Sequence, residues 1–315
     1  MQLTITGADG FVGRAVVRAL LDNGFPRDDL TLVDRAPDAR SCGVIAGDLT
    51  DPAVVKRATD GCDTLLHLAA LPGGAAEQDP ALSRQVNLDL PLRLIDAMQG
   101  RRLIIAGSIA VFGSAPKGPI SDATAPRPDS VYGAHKAMVE LAFADAARRG
   151  AVKGALLRLP GVVARPASAA GFGSAWMSDI FHAAQGGRPL ILPVTRDSTC
   201  WMASATATAA NLAHAIMAGV DAPHPVTLPA LRVRVGELLD LVAARCGSVP
   251  VVHREDASIQ RMFASYPDLS TPHARRLGFR DDGDLAALID TVLADIAMDT
   301  SRPVAQDHVV QTARS

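Results

Sequence analysis

The chain has 315 residues, 48% of them hydrophobic, which is enough for one large or two smaller domains and too apolar for a disordered chain. Thirty-one basic and 33 acidic residues leave a formal net charge of −2, which argues against a protein that holds polyanions or membrane surfaces by charge. Aromatics at 4% leave few stacking platforms for single-stranded nucleic acid. In chain order, residues 2–6 read as a strand ending at Gly7. Residues 11–23 carry apolar side chains at helical spacing (Val12, Ala15, Val16, Ala19, Leu20) and stop at Asn23-Gly24. Further strands are expected at 30–34, 44–45, 64–68, 103–106 and 155–159, with helices over 80–98 and 131–149. Strands alternating with helices at this spacing predict parallel βαβ units, hence an α/β, Rossmann-type doubly wound sheet covered on both faces. Beyond about residue 165 the regularity fades. Residues 168–174 read as a small-residue loop, and 177–185, 205–218, 235–245 and 284–298 as helices. The expected organisation is a doubly wound core over 1–165 and a small, mostly helical C-terminal lobe over 166–299, some of it returning to the core. A flexible tail is expected over 300–315.

Four cysteines (Cys42, Cys62, Cys200, Cys246) and eight histidines are scattered, with no CxxC or HExxH spacing, so no metal site is expected. Free thiols point to a reducing compartment. The Met-Gln-Leu-Thr-Ile-Thr-Gly start enters a strand directly, and no run approaches 18 apolar residues, so the expectation is a cytoplasmic protein without a membrane span.

The turn Thr6-Gly7-Ala8-Asp9-Gly10-Phe11-Val12-Gly13 joins the first strand to the first helix. Gly7 permits the tight turn, Gly10 leaves room for a pyrophosphate, and Gly13 lets the helix approach the sheet. Free N–H groups and the positive helix end then face the phosphates. Glycines alone also fit a plain turn; the carboxylate of Asp34, closing the second strand about 20 residues on, adds the partner a ribose diol needs. That carboxylate repels a 2′-phosphate and so favours NAD, while Arg35 next to it could accept one. Asp48 is either a helix N-cap or an adenine contact.

Tyr132 and Lys136 lie four apart on one helix face. With two tyrosines and four lysines in the chain, chance would produce this spacing only at the level of a few per cent. A phenol with a pKa near 10 is a poor base at neutral pH. A neighbouring ammonium and a cationic nicotinamide would lower it, so that Tyr132 can take a proton from an alcohol while the carbon-bound hydrogen leaves as hydride. Lys136 would also hold the nicotinamide ribose. Ser108, just past the fifth strand, is placed to hydrogen-bond the reacting oxygen. His67 reads as a core histidine and Trp201 as packing. Asn87 reads as a side chain bonding the backbone near the fourth strand and so shaping the cleft. Arg158 is either an internal salt bridge or a substrate contact. Arg165 and Arg196 are either surface arginines or carboxylate-gripping forks. The apolar stripes near Leu238 and Leu288 read as core.

Together these residues resemble the extended short-chain dehydrogenase/reductase family, also called the NAD-dependent epimerase/dehydratase family. The resemblance runs from residue 1 to about 220. It rests on the glycine turn, Asp34, Gly47-Asp48-Leu49, His67-Leu68-Ala69-Ala70, Asn87, Ser108 with Val111-Phe112-Gly113, Tyr132-Gly133-Ala134-His135-Lys136, and Arg158-Leu159-Pro160. It implies that Phe11 and Val12 contact pyrophosphate through their backbone and that Asp48 and Leu49 contact adenine. It further implies that Leu68, Ala69 and Ala70 line the cofactor cleft and that Leu159, Pro160 and Val162 approach the nicotinamide. A homodimer through a four-helix bundle is implied by the same analogy. The stretches Ser108 to Gly113, Arg158 to Pro166, Trp201 and Asn211 to Ala215 are similar to the D-erythronate dehydrogenase branch, in which polar residues are usual where this chain has Gly161, Ala170 and Thr199. The expected function is an NAD-dependent dehydrogenase of a small polyhydroxy acid or sugar-derived alcohol. The catalytic set is Ser108, Tyr132 and Lys136, with Ser108, Ile109 and Tyr132 touching substrate. A nucleotide-sugar epimerase or dehydratase, and a non-catalytic dinucleotide-binding regulator, are the alternatives.

Overall fold

The computed structural model describes residues 1–35, 43–166 and 173–300. Cys42, Ala170, most of the expected 168–174 loop and the tail beyond residue 300 lie outside them. Strands β1 (Leu3–Thr6), β2 (Leu30–Asp34), β3 (Val44–Ala46), β4 (Thr64–His67), β5 (Arg102–Ser108), β6 (Lys153–Leu159) and β10 (Val226–Thr227) form one seven-stranded sheet. Its order is β10-β6-β5-β4-β1-β2-β3, and every pairing is parallel. Strands of a sheet covered on both faces read as continuous apolar runs rather than alternation, which is why β1 and β4 are buried throughout.

Successive residues still point to opposite layers. Leu66 and Ile104 pack with Val16 and Leu20 of α1 (Phe11–Asp22) and with Leu212 and Ile216 of α8 (Ala205–Met217). Their neighbours Leu65 and Ile105 pack on the other side with Val54 and Val55 of α2 (Pro52–Thr59), Leu94 of α5 (Leu90–Ala97) and Phe143 of α6 (Val131–Arg148). Truncating such a fully buried side chain, Phe143→Ala for instance, costs about 3–5 kcal/mol.

Helix α2 follows its own start signal: Asp51, not Asp48, is the N-cap, its side chain accepting from Ala53 N at 2.8 Å, with Pro52 in the first turn. The helix expected over 80–98 is interrupted. α3 (Gly73–Gln78) precedes it, and α4 (Pro80–Arg84) passes through a π turn at Gln85–Asp89 into α5.

All four helices expected in the second half are present, and short strands that no local period announced join them. Besides α7 (Trp176–Gln185), α8, α9 (Val235–Cys246), α10 (Ala257–Phe263), α11 (Pro272–Arg276) and α12 (Leu285–Thr300), this half holds a three-stranded sheet and a two-stranded one. The first orders β11 (Leu231–Arg234), β9 (Thr199–Ser204) and β7 (Gly161–Val163); the second pairs β12 (Val251–His253) with β8 (Leu190–Leu192). Trp201, Phe181, Leu238 and Leu288 sit in one apolar cluster there, so the stripes near Leu238 and Leu288 are core. Strand β10 returns to the edge of the main sheet beside β6. Among the described residues no helix is long and apolar enough to cross a membrane, and no group of three or more His, Cys, Asp or Glu could hold a metal ion.

Candidate active site

Strand β1 leads outward to β2 and β3, whereas β4 lies on its other side, so the chain reverses direction between β1 and β4. A crevice forms at the carboxyl ends of the strands at such a reversal. The glycine turn opens into it. Gly7 adopts φ +70°, and a Cβ there would come within 2.7 Å of Ala69 N. A Cβ on Gly13 would meet Gly7 O at 2.2 Å, so α1 can lie this close to the turn only without a side chain. Gly10 caps α1 with no side-chain hydrogen bond, and the first-turn N–H groups of a helix have no carbonyl within the helix to bond. Asp34 ends β2 beside this turn, its carboxylate accepting from Asp9 N at 3.0 Å and Arg35 N at 2.7 Å. Close backbone approach, an uncapped helix N-terminus and a tethered carboxylate fit a dinucleotide pyrophosphate and ribose.

A cavity of about 350 Å³ runs from the turn toward the second half of the chain. Gly7, Gly10, Phe11, Val12 and Gly13 line one end, and Leu68 and Ala70 follow from β4. Ser108, Ile109, Tyr132 and Lys136 line the cavity as well, as do Leu159, which pairs beside Ser108 on the next strand, Pro160 and Val162. Six residues assigned to the site from the sequence are not in the lining. Asp34 sits behind the turn. Asp48 is exposed and turned onto Thr50, its Oδ1 accepting from the Thr50 N–H and hydroxyl at 2.8 Å each, which holds its carboxyl below the usual range. Leu49 is buried in the apolar layer under α2. Ala69 packs under the glycine turn. Asn87, in the π turn, is buried; its amide accepts from Leu71 N and donates to Leu71 O, both at 2.9 Å, and so clamps the segment that follows β4. The exposed Arg35 flanks Asp34.

Local packing sets the central trio. Ser108 closes β5, and its hydroxyl accepts from Ala110 N at 3.1 Å, capping the tight turn Ile109–Phe112. Ser130 caps α6 by accepting from Gly133 N at 3.0 Å. A Cβ on Gly133 would stand 2.5 Å from Ala110 O, so α6 presses directly on the turn after Ser108 and brings Tyr132 to that serine. Lys136, one helical turn on, is buried; its Nζ donates to Ala106 O at 2.9 Å and lies 5.7 Å from the Tyr132 ring centroid.

The electrostatics differ from the sequence expectation. Burial raises the Tyr132 phenol above its ordinary value, and the Ser108 hydroxyl and then the Arg165 charge pull it back. Arg165 acts on this phenol; Lys136, the cation expected to tune it, stands with its Nζ 5.7 Å from the ring centroid and donates to the Ala106 carbonyl. Burial brings the Lys136 ammonium itself down to about 8, against an opposing pull from Glu140. Glu140 is the next residue along the same face. It pairs bidentately with Arg158 at 2.8 and 2.7 Å, both side chains buried, and Arg158 lies 4.9 Å over the Phe112 ring. Arg158 is therefore an internal ion pair. His67 is a core residue: its Nδ1 meets the Thr6 hydroxyl at 2.7 Å, and burial brings it down to about 3.

Sequence reasoning weighed Arg165 and Arg196 alike. Arg196 is spent on Asp240, at 2.7 and 2.8 Å, away from the cavity; Arg165 lines it. The far wall also carries Ser174, Met177, Phe263 and Tyr266, none of them foreseen, and Trp201, read only as packing. Trp201 is fully buried, with its ring 4.7 Å from Tyr266 and its Nε1 donating to Pro267 O at 2.8 Å. At Gly161 a side chain would run into Trp201 O at 2.8 Å, and the Thr199 hydroxyl is committed to Tyr266 O at 2.7 Å.

Residues 3–201 match the model of the NAD dependent epimerase/dehydratase family. A D-erythronate dehydrogenase of Cupriavidus necator is 32% identical, over 95% of this chain and 99% of that protein. One from Haemophilus influenzae is 30% identical over 92% and 98%. Among solved structures, the nucleoside-diphosphate-sugar epimerase from Agrobacterium tumefaciens superposes with a TM-score of 0.85 at 30% identity, covering 95% of each chain. An L-threonine dehydrogenase from Cupriavidus necator, 19% identical with a TM-score of 0.82, shares the fold.

Proposed function

The chain belongs to the NAD dependent epimerase/dehydratase family, and from that premise we propose that it is an NAD-dependent dehydrogenase that oxidises a secondary alcohol of a small polyhydroxy acid of the D-erythronate kind. The observation that carries this is the convergence of Ser108, Tyr132 and Lys136 on one cavity in front of the glycine turn. Two relatives named D-erythronate dehydrogenase, each matched over nearly its whole length, support the substrate class.

In this reading the α1 N-terminus holds the pyrophosphate and Asp34 the adenosine ribose diol. When bound, NAD supplies an oxidised nicotinamide that accepts the carbon-bound hydrogen with its electron pair. Ser108 donates to the reacting oxygen and polarises it. Tyr132 takes the hydroxyl proton. Lys136, as the ammonium, holds the nicotinamide ribose and stabilises the phenolate across the 5.7 Å that separates it from the ring. Residues 1–165 hold the cofactor, and 166–299 close the substrate side.

Purified protein, NAD and a panel of four- to six-carbon aldonic acids test the reading through absorbance of the reduced nicotinamide. Turnover is expected with at least one acid. Tyr132→Phe should lose about 10²–10⁴-fold in kcat, the usual worth of a positioned acid–base group, with NAD affinity unchanged. No reduction with any acid, or a Tyr132→Phe enzyme as fast as wild type, overturns it.

The match to a nucleoside-diphosphate-sugar epimerase favours a second reading, in which the hydrogen returns to the same substrate. NAD retained through purification and sugar-nucleotide interconversion without net reduction would select it. Met138 and Leu141 expose apolar surface on α6 and support a homodimer through that helix; a monomer in light scattering at working concentration would refute this. The free thiols of Cys62, Cys200 and Cys246 support a reducing, cytoplasmic setting.

A further inference from the structure

The cavity has a charge pattern that the hydride chemistry leaves unused. Among its described lining residues only Lys136 and Arg165 carry charge, and both are positive. Lys136 is directed at the Ala106 carbonyl under Tyr132. Arg165 stands beyond β7, on the wall contributed by the second half of the chain.

Its main chain is held from both sides by one helix. The Arg165 N–H donates to the Ser178 hydroxyl at 3.0 Å, and its carbonyl bonds His182 Nε2 at 2.7 Å, both on α7. Its Nη2 donates to the Ser174 hydroxyl at 2.9 Å. Backbone and guanidinium are thus anchored independently, the preorganisation that an ion-binding fork needs. Most of the wall around it is apolar: Val163, Met177, Trp201 and Phe263. A carboxylate entering there exchanges water for a charge-assisted, planar partner of low local dielectric.

Resting on the dehydrogenase reading, we propose that Arg165 is the specificity residue that binds the substrate carboxylate, so that the site takes polyhydroxy acids and discriminates against the corresponding polyols. The arrangement also couples recognition to chemistry, because the Arg165 charge is one of the influences that draw the Tyr132 phenol down from the value burial imposes. Asp179, on α7, is the carboxylate whose charge reaches Arg165 from outside the cavity lining. An arginine kept only for Asp179 and Ser174 would be indifferent to substrate charge.

The test compares D-erythronate with erythritol, the same four-carbon skeleton with CH2OH in place of the carboxylate, on wild type, Arg165→Met and Arg165→Lys. Binding of D-erythronate to the NADH-loaded protein is followed by calorimetry, and oxidation of both compounds with NAD by absorbance. Arg165→Met is expected to weaken D-erythronate binding about 100-fold, the scale of losing a bidentate charged partner. NADH affinity should stay within about threefold, the lost charge beside Tyr132 should slow oxidation of both compounds, the acid should lose about 100-fold more than erythritol, and Arg165→Lys should recover part of that difference. If Arg165→Met binds NADH normally and loses acid and polyol activity alike, or binds D-erythronate as wild type does, the proposal falls while the dehydrogenase reading stands. If wild type binds D-erythronate in an Arg165-dependent way without oxidising it, the anchor stands and the dehydrogenase reading falls. If wild type neither binds nor oxidises four- to six-carbon polyhydroxy acids, both fall.

Discussion

Replacing Glu140 by glutamine should disturb the site without touching any atom that lines the cavity. Tyr132, Lys136 and Glu140 succeed one another at four-residue spacing along α6, and Arg158 on β6 closes the row. Glu140 and Arg158 keep only 3% and 6% of their side chains exposed, so the pair is screened by protein rather than by water. Removing one member of a buried pair strands the other charge, at a cost of about 3–5 kcal/mol. A glutamine keeps some hydrogen bonding to the guanidinium, which puts the expected loss near the lower figure. In a chain of this size that lowers Tm by about 5 °C. A second effect is specific to the chemistry. Glu140 is what raises the Lys136 ammonium against its burial, to about 8. Without it the lysine gives up its proton at lower pH, and if the ammonium holds the nicotinamide ribose as proposed, NAD affinity declines at lower pH than in wild type. Denaturant unfolding and NAD titrations from pH 6 to 10 read the two effects separately. A loss under about 1 kcal/mol together with an unshifted alkaline decline would refute the reasoning, since a buried counter-ion cannot be both absent and inconsequential. Glu140→Leu combined with Arg158→Met should regain much of the stability but not the pH profile.

Three further outcomes are expected. His67 has a folded pKa near 3 against 6.5 in the open chain. The unfolded state therefore takes up a proton that the native state refuses, and stability falls by about 1.4 kcal/mol per pH unit between those values and is unaffected above them. His67→Gln should remove that acid slope in denaturant titrations at pH 7 and 5, and an unchanged slope would assign it to other groups. Gly13→Ala places a carbon 2.2 Å from Gly7 O and should abolish measurable NAD binding in calorimetry, whereas normal affinity would mean the turn does not hold the cofactor. Tyr132→Phe should keep that affinity and lose turnover, as set out above.

The doubly wound core was legible because parallel strands and amphipathic helices impose periods the eye can follow, and Leu30–Asp34 stands where the pattern put it. In the lobe the helices were legible too, but the strands were not, for a physical reason. Its strands run two to six residues, as Thr199–Ser204 and Val251–His253 illustrate, and pair with segments tens of residues away, so no local period marks them. Asp48 and Asp51 are both good caps by type; only the position of Pro52 in the folded first turn tells them apart. Arg165 and Arg196 look alike in one dimension. What separates them is place in the fold: Arg196 pairs with Asp240, an acid 44 residues on, whereas Arg165 lines the cavity. Phe263 and Tyr266 reach the cavity from more than a hundred residues beyond Tyr132, a juxtaposition that no spacing rule encodes.

The contact between Gly133 and the Ala110 carbonyl has an evolutionary side. It holds Ser108 and Tyr132, to which the proposed reading gives the handling of the proton, in one block through a contact made entirely before β6. Selection can therefore redraft the later half, trading one arginine-bearing wall for another, and the new enzyme inherits a working reaction centre from its first generation. Diversification under such an arrangement means new appetites served by an old engine, and loss of that single hydrogen-for-side-chain clearance would end the lineage's freedom to experiment.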